Sequence, residues 1–282
     1  MKFLRISGQD KLKLPYNLRS NQQEIIDTIE KGLQLKNHIV IEAPTGSGKT
    51  FTSLASSLPF VINKSYKIIY CVRTNSQQEQ VIKELKAFKD SGNNFSVVAI
   101  QGRQSMCPQQ KDDDELAKSN WSEKSKICKS LKLQSKLGEA GCPYYRKLLR
   151  PTKSLIDRWS SEIYSAEEFP SNAESENVCP YELNKLLLKE AQIVIVPYVY
   201  FFEDFIRKYL LGWMDTSIDK IITIVDEAHN LPDWSREAAS ESLSVDSLHR
   251  ASQESDKFGL LLGDGSPPTL FLDLVGSALK SL

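Results

Sequence analysis

The sequence predicts an α/β fold in which an open, mostly parallel sheet carries helices on both faces. Three observations predict it. Short continuous apolar runs alternate with helical patterns, as in sheets whose strands are buried on both faces. One such run leads directly into a glycine-rich turn at residues 43–50, and another ends in two adjacent carboxylates, Asp226 and Glu227. Strands are predicted at residues 38–42, 67–72, 96–100, 193–196 and 221–225.

Helices are predicted where apolar residues recur three or four positions apart. Residues 24–33 show this spacing, and Asn21 is placed to cap the first turn. A helix that begins near residue 49 is expected to end at Leu58, because Pro59 lacks the N–H that a helix interior needs. Residues 77–88 form the next predicted helix.

The glycine-rich turn has the pattern of a phosphate-binding loop. Gly46 and Gly48 allow backbone conformations closed to other residues, so that successive N–H groups point at phosphate oxygens. Lys49 supplies a positive charge to the β- and γ-phosphates, and Thr50 a hydroxyl to Mg²⁺. The strict pattern has glycine where this chain has Ala43, but the strand-turn-helix context favours the loop over a plain surface turn. The predicted nucleotide contacts are Ala43, Pro44, Thr45, Gly46, Ser47, Gly48, Lys49 and Thr50.

The carboxylates at residues 226 and 227 predict the other half of a nucleotide site. A buried strand shows its carboxyl end to the ligand crevice of a parallel sheet, where phosphate and metal would lie. We expect Asp226 to hold Mg²⁺, through water, and Glu227 to polarise the attacking water. His229 is expected to sense the γ-phosphate. The alternative is a solvated strand end, which the phosphate-binding loop disfavours.

Composition limits the possible partners. The chain has 282 residues, and Lys+Arg and Asp+Glu both number 36, so any nucleic-acid surface must be local. No stretch approaches the roughly 18 apolar residues of a membrane span, and the N-terminus lacks a signal-type apolar run. A cytosolic or nuclear location is expected, where disulfides are disfavoured. The five cysteines are therefore interpreted as core residues, catalytic thiols or metal ligands.

Four cysteines fall in residues 101–188, an interval that breaks the strand-helix rhythm and is interpreted as an insertion. Structural zinc sites carry their cysteines as closely spaced pairs, and this interval has none. Four thiolates can also hold a [4Fe–4S] cluster from well-separated loops. Spacing leaves cluster, zinc and unligated thiols open for Cys107, Cys128, Cys142 and Cys179. Cys71 lies inside an apolar strand and is predicted to be a core residue.

The insertion is also basic. Between Lys124 and Arg158 there are ten Lys/Arg and two acidic residues, with Tyr144 and Tyr145 among them and Trp159 directly after. Phosphate contacts and flat rings suit a single-strand groove. A solvated helical face explains the composition equally well.

Together these residues resemble the iron-sulfur DNA helicases of superfamily 2 typified by XPD, with DinG, FANCJ and RTEL proteins as relatives. Residues 18–22 resemble the family's Arg-x-x-Gln element near the adenine pocket. The resemblance therefore implies that Arg19 and Gln22 contact the nucleotide. Residues 43–50 resemble motif I, where alanine is common at the first position. Residues 70–77 resemble motif Ia, and residues 226–229 motif II.

The resemblance implies roles for further residues. The family's Arg-Thr pair contacts the DNA backbone and corresponds to Arg73 and Thr74. The four cysteines would hold a [4Fe–4S] cluster. Further DNA contacts are expected in the insertion from Arg103, Tyr144, Tyr145 and Arg146.

The family also implies a domain plan and an activity. The fold would be a RecA-like P-loop NTPase domain at residues 1–100 and 189–231, with an iron-sulfur domain at 101–188 and the start of a helical arch at 232–282. Helical spacing at Leu243 and Leu248 fits that arch. The family's second RecA-like domain, with its arginine finger, has no match, so the chain alone is expected to hydrolyse little ATP.

The implied activity is an ATP- and Mg²⁺-dependent motor, monomeric, that moves 5′ to 3′ on single-stranded DNA and opens a fork in DNA repair. An archaeal source is expected, with the protein in the cytoplasm near the nucleoid, or in the nucleus if the source is eukaryotic. The alternative is a regulatory nucleotide-binding module with structural zinc and a protein-docking insertion. A nuclease-coupled DinG-like protein is disfavoured, because no nuclease motif is present.

Overall fold

The computed structural model describes residues 12–64, 66–111, 116–117, 119–240 and 245–280. Its centre is a four-stranded sheet of order β2-β3-β1-β4, in which every pairing is parallel. The strands are β1 (Lys67–Val72), β2 (Val97–Ala99), β3 (Ile193–Pro197) and β4 (Ile221–Val225). These four strands were all predicted, and the α/β fold class is confirmed.

Helices fill the intervals between the strands. In chain order they are α1 (Gln22–Gln34), α2 (Lys49–Lys64), α3 (Asn75–Asp90), α4 (Arg103–Met106), α5 (Trp121–Lys136), α6 (Pro143–Arg146), α7 (Lys153–Ser161), α8 (Glu168–Ser175), α9 (Pro180–Glu190), α10 (Tyr198–Phe202), α11 (Asp204–Trp213), α12 (Leu231–Ala238), α13 (Val245–Phe258) and α14 (Pro268–Lys280). Short 3₁₀ turns span Pro108–Lys111, Ile218–Lys220 and Ala228–Asn230.

Both faces of the sheet are buried. Ile68 and Tyr70 on β1 belong to one core cluster, which also contains Leu54 of α2 and Leu85 of α3. Successive strand residues point to opposite faces, so Ile69 lies on the other face, and it is also fully buried. Continuous apolar strands of this kind require cover on both sides, as the sequence indicated.

The predicted strand at residues 38–42 is wrong. These residues form no strand, and Val40 is 95% exposed. Lys36 adopts a left-handed conformation (φ 56°) just after α1, which redirects the chain. The Ile39 side chain then packs against Gly32 of α1, where an added Cβ would meet it at 2.6 Å. Ile39 is half-buried and packs on α1 rather than on a neighbouring strand, so tertiary context overrides the strand propensity of this run.

The predicted end of α2 before Pro59 is also wrong, since the helix continues through Pro59 to Lys64. Proline removes one helical hydrogen bond and clashes with the preceding turn. Phe60 and Val61, beyond the proline, are both buried in the core cluster. Their burial offsets the cost of the proline and keeps the last turns helical.

The described insertion residues contain helices and no strand, and they pack directly on the sheet domain. Asn184 of α9 donates to the Ala99 carbonyl at the end of β2 (2.9 Å). On α3, Glu79 accepts from the Ala166 amide (2.8 Å). Lys86 of the same helix pairs with Glu168 (3.0 Å). The insertion therefore does not separate from the sheet domain as its own compact unit.

The chain divides into two compact units, Met1–Glu227 and Ala228–Leu282. In the second unit, α13 and α14 pack against each other. Leu248 is buried on α13, as the helical spacing predicted, whereas Leu243 lies outside the described residues. Among the residues that the structure describes, no helix is long and apolar enough to cross a membrane.

Glu30 of α1 generates a prediction about pH and stability. Its Oε1 atom is buried without a hydrogen-bond partner among the described residues. Burial, and then the charge of Asp27, raise the pKa of Glu30 from 4.5 to about 7. The folded state therefore binds more protons than the unfolded state between these pH values, so stability should fall as the pH rises through this window.

We expect Glu30→Gln to remove this fall, because glutamine carries no charge at either pH. After allowance for partial solvation, the gain at pH 8 should be on the order of 1 kcal/mol. Urea unfolding at pH 5 and pH 8 measures it. Glu24→Gln, an exposed change on the same helix, is the matched control. Identical pH profiles for both variants and the parent would contradict the prediction.

Candidate functional site

The phosphate-binding loop has the backbone that the sequence predicted. Gly46 and Gly48 have φ values of 77° and 86°, which favour glycine. Helix α2 begins at Lys49, so its N-terminal amides face the loop. The Lys49 ammonium donates to the Ala43 carbonyl across the loop (2.9 Å). Ser47 Oγ is buried and has no hydrogen-bond partner among the described residues, so the loop holds an unused polar group.

Two residues predicted to lie near the adenine hold the loop itself. Gln22 Nε2 donates to the Ser47 carbonyl (3.0 Å), and the Arg19 guanidinium donates to the Gly46 carbonyl (2.8 Å). Gln22 Oε1 accepts from the Arg19 amide (3.0 Å), which fixes the two residues to each other. Gln22 is buried. Contact of these two residues with adenine stays a prediction. Their hydrogen bonds to the loop carbonyls fix the shape of the loop.

The sheet brings the two predicted halves of the site together. β4 pairs with β1, and the Asp226 amide extends that pairing by donating to the Cys71 carbonyl (3.0 Å). Glu227 Oε1 lies 4.0 Å from Lys49 Nζ. The carboxylate pair and the loop lysine, 178 positions apart in sequence, thus meet at the carboxyl edge of the sheet.

Tyr198 holds the chain where it leaves β4. Its hydroxyl donates to the carbonyls of Asp226 and Glu227, the latter at 3.3 Å. Glu227 has a left-handed backbone (φ 48°), which costs a non-glycine residue free energy and needs such support. Burial, followed by the charge of Asp226, raises the pKa of Tyr198 to about 12, so the hydroxyl remains a donor at neutral pH.

The carboxylates form a site of concentrated negative charge. Burial and the neighbouring charge of Glu227 raise the pKa of Asp226, whereas Lys49 lowers it. A divalent cation would relieve this repulsion, which suits Asp226 and Thr50 to the predicted magnesium role. His229 belongs to the second compact unit, where its ring contacts Asn230 (3.2 Å), and its role stays a prediction.

The cysteines of the insertion are all free thiols, and three are followed by proline at a helix start. Cys142 is the N-cap of α6 and Cys179 the N-cap of α9. Cys107 immediately precedes the turn Pro108–Lys111. Proline is favoured in the first turn because no N–H is needed there. The repeated Cys-Pro pairs therefore place these three cysteines directly before helical turns. At Cys142 and Cys179 burial raises the pKa by more than the backbone hydrogen bonds lower it.

The same four thiols influence one another electrostatically. Burial raises the pKa of Cys128, and Cys107 raises it further. Burial is also the main cause of the raised pKa of Cys142, to which Cys128 and Cys107 contribute. The pKa of Cys179 rises to about 12, through burial first, with Cys142 and Cys128 adding to it.

Within the described ranges, no three His, Cys, Asp or Glu side chains lie at the spacing that would hold a metal ion. The fifth cysteine, Cys71, is fully buried in β1, which confirms it as a core residue.

The predicted DNA contacts of motif Ia lie beyond β1 at the same edge of the sheet. Arg73 and Thr74 are both exposed. The Thr74 hydroxyl accepts from the Gln77 amide (3.3 Å), and Gln77 Oε1 accepts from the Thr74 amide (3.0 Å), which makes a capping box for α3. The box fixes the backbone of the pair, and contact with DNA stays a prediction.

The predicted DNA contacts of the insertion make internal contacts in this structure. Arg103 donates to Ser125 (3.1 Å) and lies over the Tyr181 ring (4.7 Å to its centroid). Arg146 donates to the Glu139 carbonyl (2.6 Å). The Tyr144 carbonyl accepts from the Cys179 amide (2.9 Å), and Lys132 lies over the Tyr145 ring (5.7 Å). Their internal contacts organise the cysteine region, and DNA binding by these four residues stays a prediction.

Sequence reasoning missed three residues that organise these sites: Tyr198, Lys132 and Glu182. Tyr198 directly follows β3, and this position at the carboxyl end of a strand is the sequence feature that could have indicated a role at the site. Lys132 and Glu182 pair at 2.8 Å. They lie four and three residues after Cys128 and Cys179, one helical turn from each cysteine.

The fold and the loop define a P-loop nucleotide-binding protein. The sequence model of the DEAD_2 family matches residues 70–248, more than half of the chain. The chain belongs to the DEAD_2 family.

The relatives and solved structures are helicases by name. The chain is 26% identical to the RTEL1 homolog of Arabidopsis thaliana, "Regulator of telomere elongation helicase 1 homolog", with 82% of this chain and 24% of that protein covered. It is also 26% identical to the helicase subunit XPD/RAD3 of the transcription and DNA repair factor IIH of Saccharomyces cerevisiae, with coverage of 85% and 32%. The chain therefore spans a quarter to a third of these relatives.

A solved XPD helicase is 25% identical with a TM-score of 0.56, and 85% of this chain and 37% of that one are covered. A truncated XPD at 22% identity and a TM-score of 0.55 supports the fold alone, with 92% of this chain and 65% of that one covered. The parallel sheet and these matches confirm a RecA-like α/β fold and a likeness to the XPD-type helicases of superfamily 2.

The contact between Gln22 and the loop generates a prediction. A Cβ added at Gly48 would meet Gln22 Nε2 at 2.5 Å, whereas one at Gly46 would meet nothing within 4 Å. Both alanines are strained by a positive φ, at about 1–3 kcal/mol, but only Gly48→Ala also displaces Gln22. We expect Gly48→Ala to weaken ATP binding by at least about tenfold, which corresponds to 1.4 kcal/mol, and Gly46→Ala to weaken it less.

Fluorescence anisotropy with a labelled ATP analogue and Mg²⁺ measures these affinities. Gly212→Ala, in open space on α11, serves as the control and should leave the affinity unchanged. Equal losses for Gly46→Ala and Gly48→Ala would show that Gln22 does not shape the loop.

Proposed function

We propose that this chain is a motor domain of an ATP-dependent DNA helicase that moves 5′ to 3′ on single-stranded DNA. The observation that carries the proposal is the approach of Lys49 to Glu227 (4.0 Å) at the end of two parallel strands. A phosphate-binding loop and a carboxylate pair at one edge of the sheet are the parts that nucleoside triphosphate hydrolysis requires. The names of the similar proteins support DNA as the substrate.

Each residue of the nucleotide site has a defined task in this proposal. Loop amides and the unpaired Ser47 hydroxyl bind phosphate oxygens, and Lys49 exchanges the Ala43 carbonyl for the β- and γ-phosphates. Thr50 and Asp226 hold Mg²⁺, which when bound neutralises charge that develops on the phosphates. Glu227 orients the attacking water and accepts its proton. His229 is proposed to sense the γ-phosphate.

We also propose that Cys107, Cys128, Cys142 and Cys179 hold a [4Fe–4S] cluster. The four cysteines form no disulfide, and neighbouring thiols contribute to the raised pKa values of Cys128, Cys142 and Cys179. Cysteine thiolates are the donors that hold iron-sulfur clusters, so these residues supply the right donor chemistry. The proposal rests on this donor set and on the resemblance to the iron-sulfur helicases. The cluster domain would lie at the point where the DNA strands separate.

The DNA path is proposed to combine motif Ia with the insertion. Arg73 and Thr74 would contact the DNA backbone beside the nucleotide site. Arg103, Tyr144, Tyr145 and Arg146 would contact the strand near the cysteines, where basic residues and rings are interleaved. The motor is proposed to act as a monomer in DNA repair, and the name of the factor IIH relative, which includes DNA repair, supports the repair role.

The competing function is a regulatory nucleotide-binding module with structural zinc. It shares the phosphate-binding loop but requires neither DNA stimulation nor iron. Metal content, visible absorbance and the effect of single-stranded DNA therefore distinguish the two functions.

The motor proposal predicts that Lys49→Ala weakens binding of labelled ATP by about tenfold or more, since a charged hydrogen bond contributes about 1.5–3 kcal/mol. Lys31→Ala, an exposed change on α1, should leave binding unchanged. In the complete protein that carries this chain, single-stranded DNA should stimulate ATP hydrolysis, and Lys49→Ala should abolish it. Absence of any stimulation by DNA would contradict the proposal.

The cluster proposal predicts a brown, iron-containing protein after anaerobic purification. Cys128→Ser should lose the visible absorbance and strand separation while it keeps much of the ATPase, because the phosphate-binding loop lies outside the insertion. Cys71→Ala, which removes a thiol from β1, should keep the absorbance. A colourless parent protein with stoichiometric zinc would exclude the cluster, and equal loss of ATPase and unwinding would show that the insertion does not act separately.

A further inference from the structure

We infer that Lys132 is a positioning residue that joins three of the four cysteine segments and places a fixed positive charge beside their thiols. This inference rests on the cluster assignment proposed above. It concerns a side chain that neither the motif pattern nor the resemblance to helicases assigns.

Lys132 contacts residues from two other cysteine segments. It lies four residues after Cys128, so its own helix, α5, carries one cysteine. Its ammonium donates to Glu182 Oε1 (2.8 Å), three residues after Cys179 on α9. The same ammonium lies 5.7 Å from the centroid of the Tyr145 ring, three residues after Cys142. One side chain thus connects the segments of Cys128, Cys142 and Cys179.

The ion pair is largely sheltered from water. The side chains of Lys132 and Glu182 are 22% and 15% exposed. Such a pair is stronger than a surface pair, and removal of one partner leaves the other charge uncompensated. Lys185 also approaches Glu182, at 3.5 Å, from the same helix, and its ammonium lies over the Trp213 ring of α11 (4.7 Å). Lys132 therefore connects α5 with α9, as Arg103 also does through Ser125 and Tyr181.

Lys132 remains charged in this position. Burial favours its neutral form, but the hydrogen bond and charge of Glu182, and the charge of Cys128, outweigh burial and raise the pKa of Lys132. Glu182 remains ionised in turn, since Lys132 and Lys185 lower its pKa against the effect of burial. Arg103 is the other cation that acts on Cys128.

A positive charge one helical turn from Cys128 has two consequences for a thiolate-bound cluster. It stabilises the anionic donor set, which slows loss of the cluster. It also stabilises the reduced form more than the oxidised form, because reduction adds negative charge, and so raises the reduction potential. Partners outside the ligand set typically change metal affinity by about 10–100-fold when they are mutated.

The experiment compares Lys132→Met, Lys132→Arg and Lys129→Met with the parent protein. Methionine keeps much of the apolar stem of lysine and removes the charge, whereas arginine keeps the charge. Lys129→Met makes the same charge change on the exposed side of α5, next to Cys128 in sequence. All four proteins are reconstituted anaerobically with Fe²⁺ and sulfide. The readouts are loss of visible absorbance in air and the midpoint potential by spectroelectrochemistry.

We expect Lys132→Met to lose absorbance about tenfold faster than the parent and to have a lower midpoint potential. Lys132→Arg should recover most of both properties, and Lys129→Met should match the parent. Equal rates and potentials for Lys132→Met and Lys129→Met, in proteins that do hold the cluster, would overturn this inference alone. A parent protein that takes up no iron and sulfide would overturn it together with the cluster proposal.

Discussion

The parallel pairing of β1 with β4 is the constraint on which the nucleotide site depends. The register sets Cys71 opposite Val225, and the Asp226 amide then donates to the Cys71 carbonyl. A slip of one residue would reverse the faces of β4 and exchange the directions of the two carboxylates. The observed register brings Glu227 to Lys49. Gln22 and Arg19 hold the loop through hydrogen bonds to its carbonyls. Phosphate binding and the proposed hydrolysis thus use one fixed strand edge.

The insertion is tied to this edge through α9. The helix begins at Cys179, and Leu183 and Leu187 are fully buried along it. Asn184 donates to the carbonyl of Ala99 at the end of β2 (2.9 Å). The same helix therefore carries a proposed cluster ligand at its start and packs on the sheet with its body. A rigid helix of this kind is a physical route by which the cysteine region and the sheet domain affect each other.

Much of the fold could be predicted from the sequence, and the failures have local causes. Strands such as β1 and β3 are buried on both faces, so their continuous apolar runs predict them whatever the detailed packing. Residues 38–42 have a similar composition, but Ile39 packs on α1, and no sequence pattern reveals that competition. Helix α2 passes Pro59 because core burial beyond the proline outweighs a missing hydrogen bond.

The site residues could be predicted from the sequence where they lie within a short motif. Lys49 and Glu227 lie in short motifs, and the strand that ends at Val225 places Glu227 at the carboxyl edge of the sheet. Tyr198 and the pair of Lys132 with Glu182 depend on contacts between distant segments, and only the structure shows these contacts. The family resemblance indicates a nucleotide role for Arg19 and Gln22. Their hydrogen bonds to the loop carbonyls depend on the folded backbone, which the sequence does not reveal.

Glu227→Gln tests the proposed motor most directly, since it removes the proton acceptor and keeps the shape of the side chain. In the complete protein, hydrolysis of ATP should be measured with saturating single-stranded DNA alongside the affinity for labelled ATP. The account predicts that affinity is retained while hydrolysis falls by at least about a hundredfold, in line with the contribution of a general base. Unchanged hydrolysis by Glu227→Gln would contradict it.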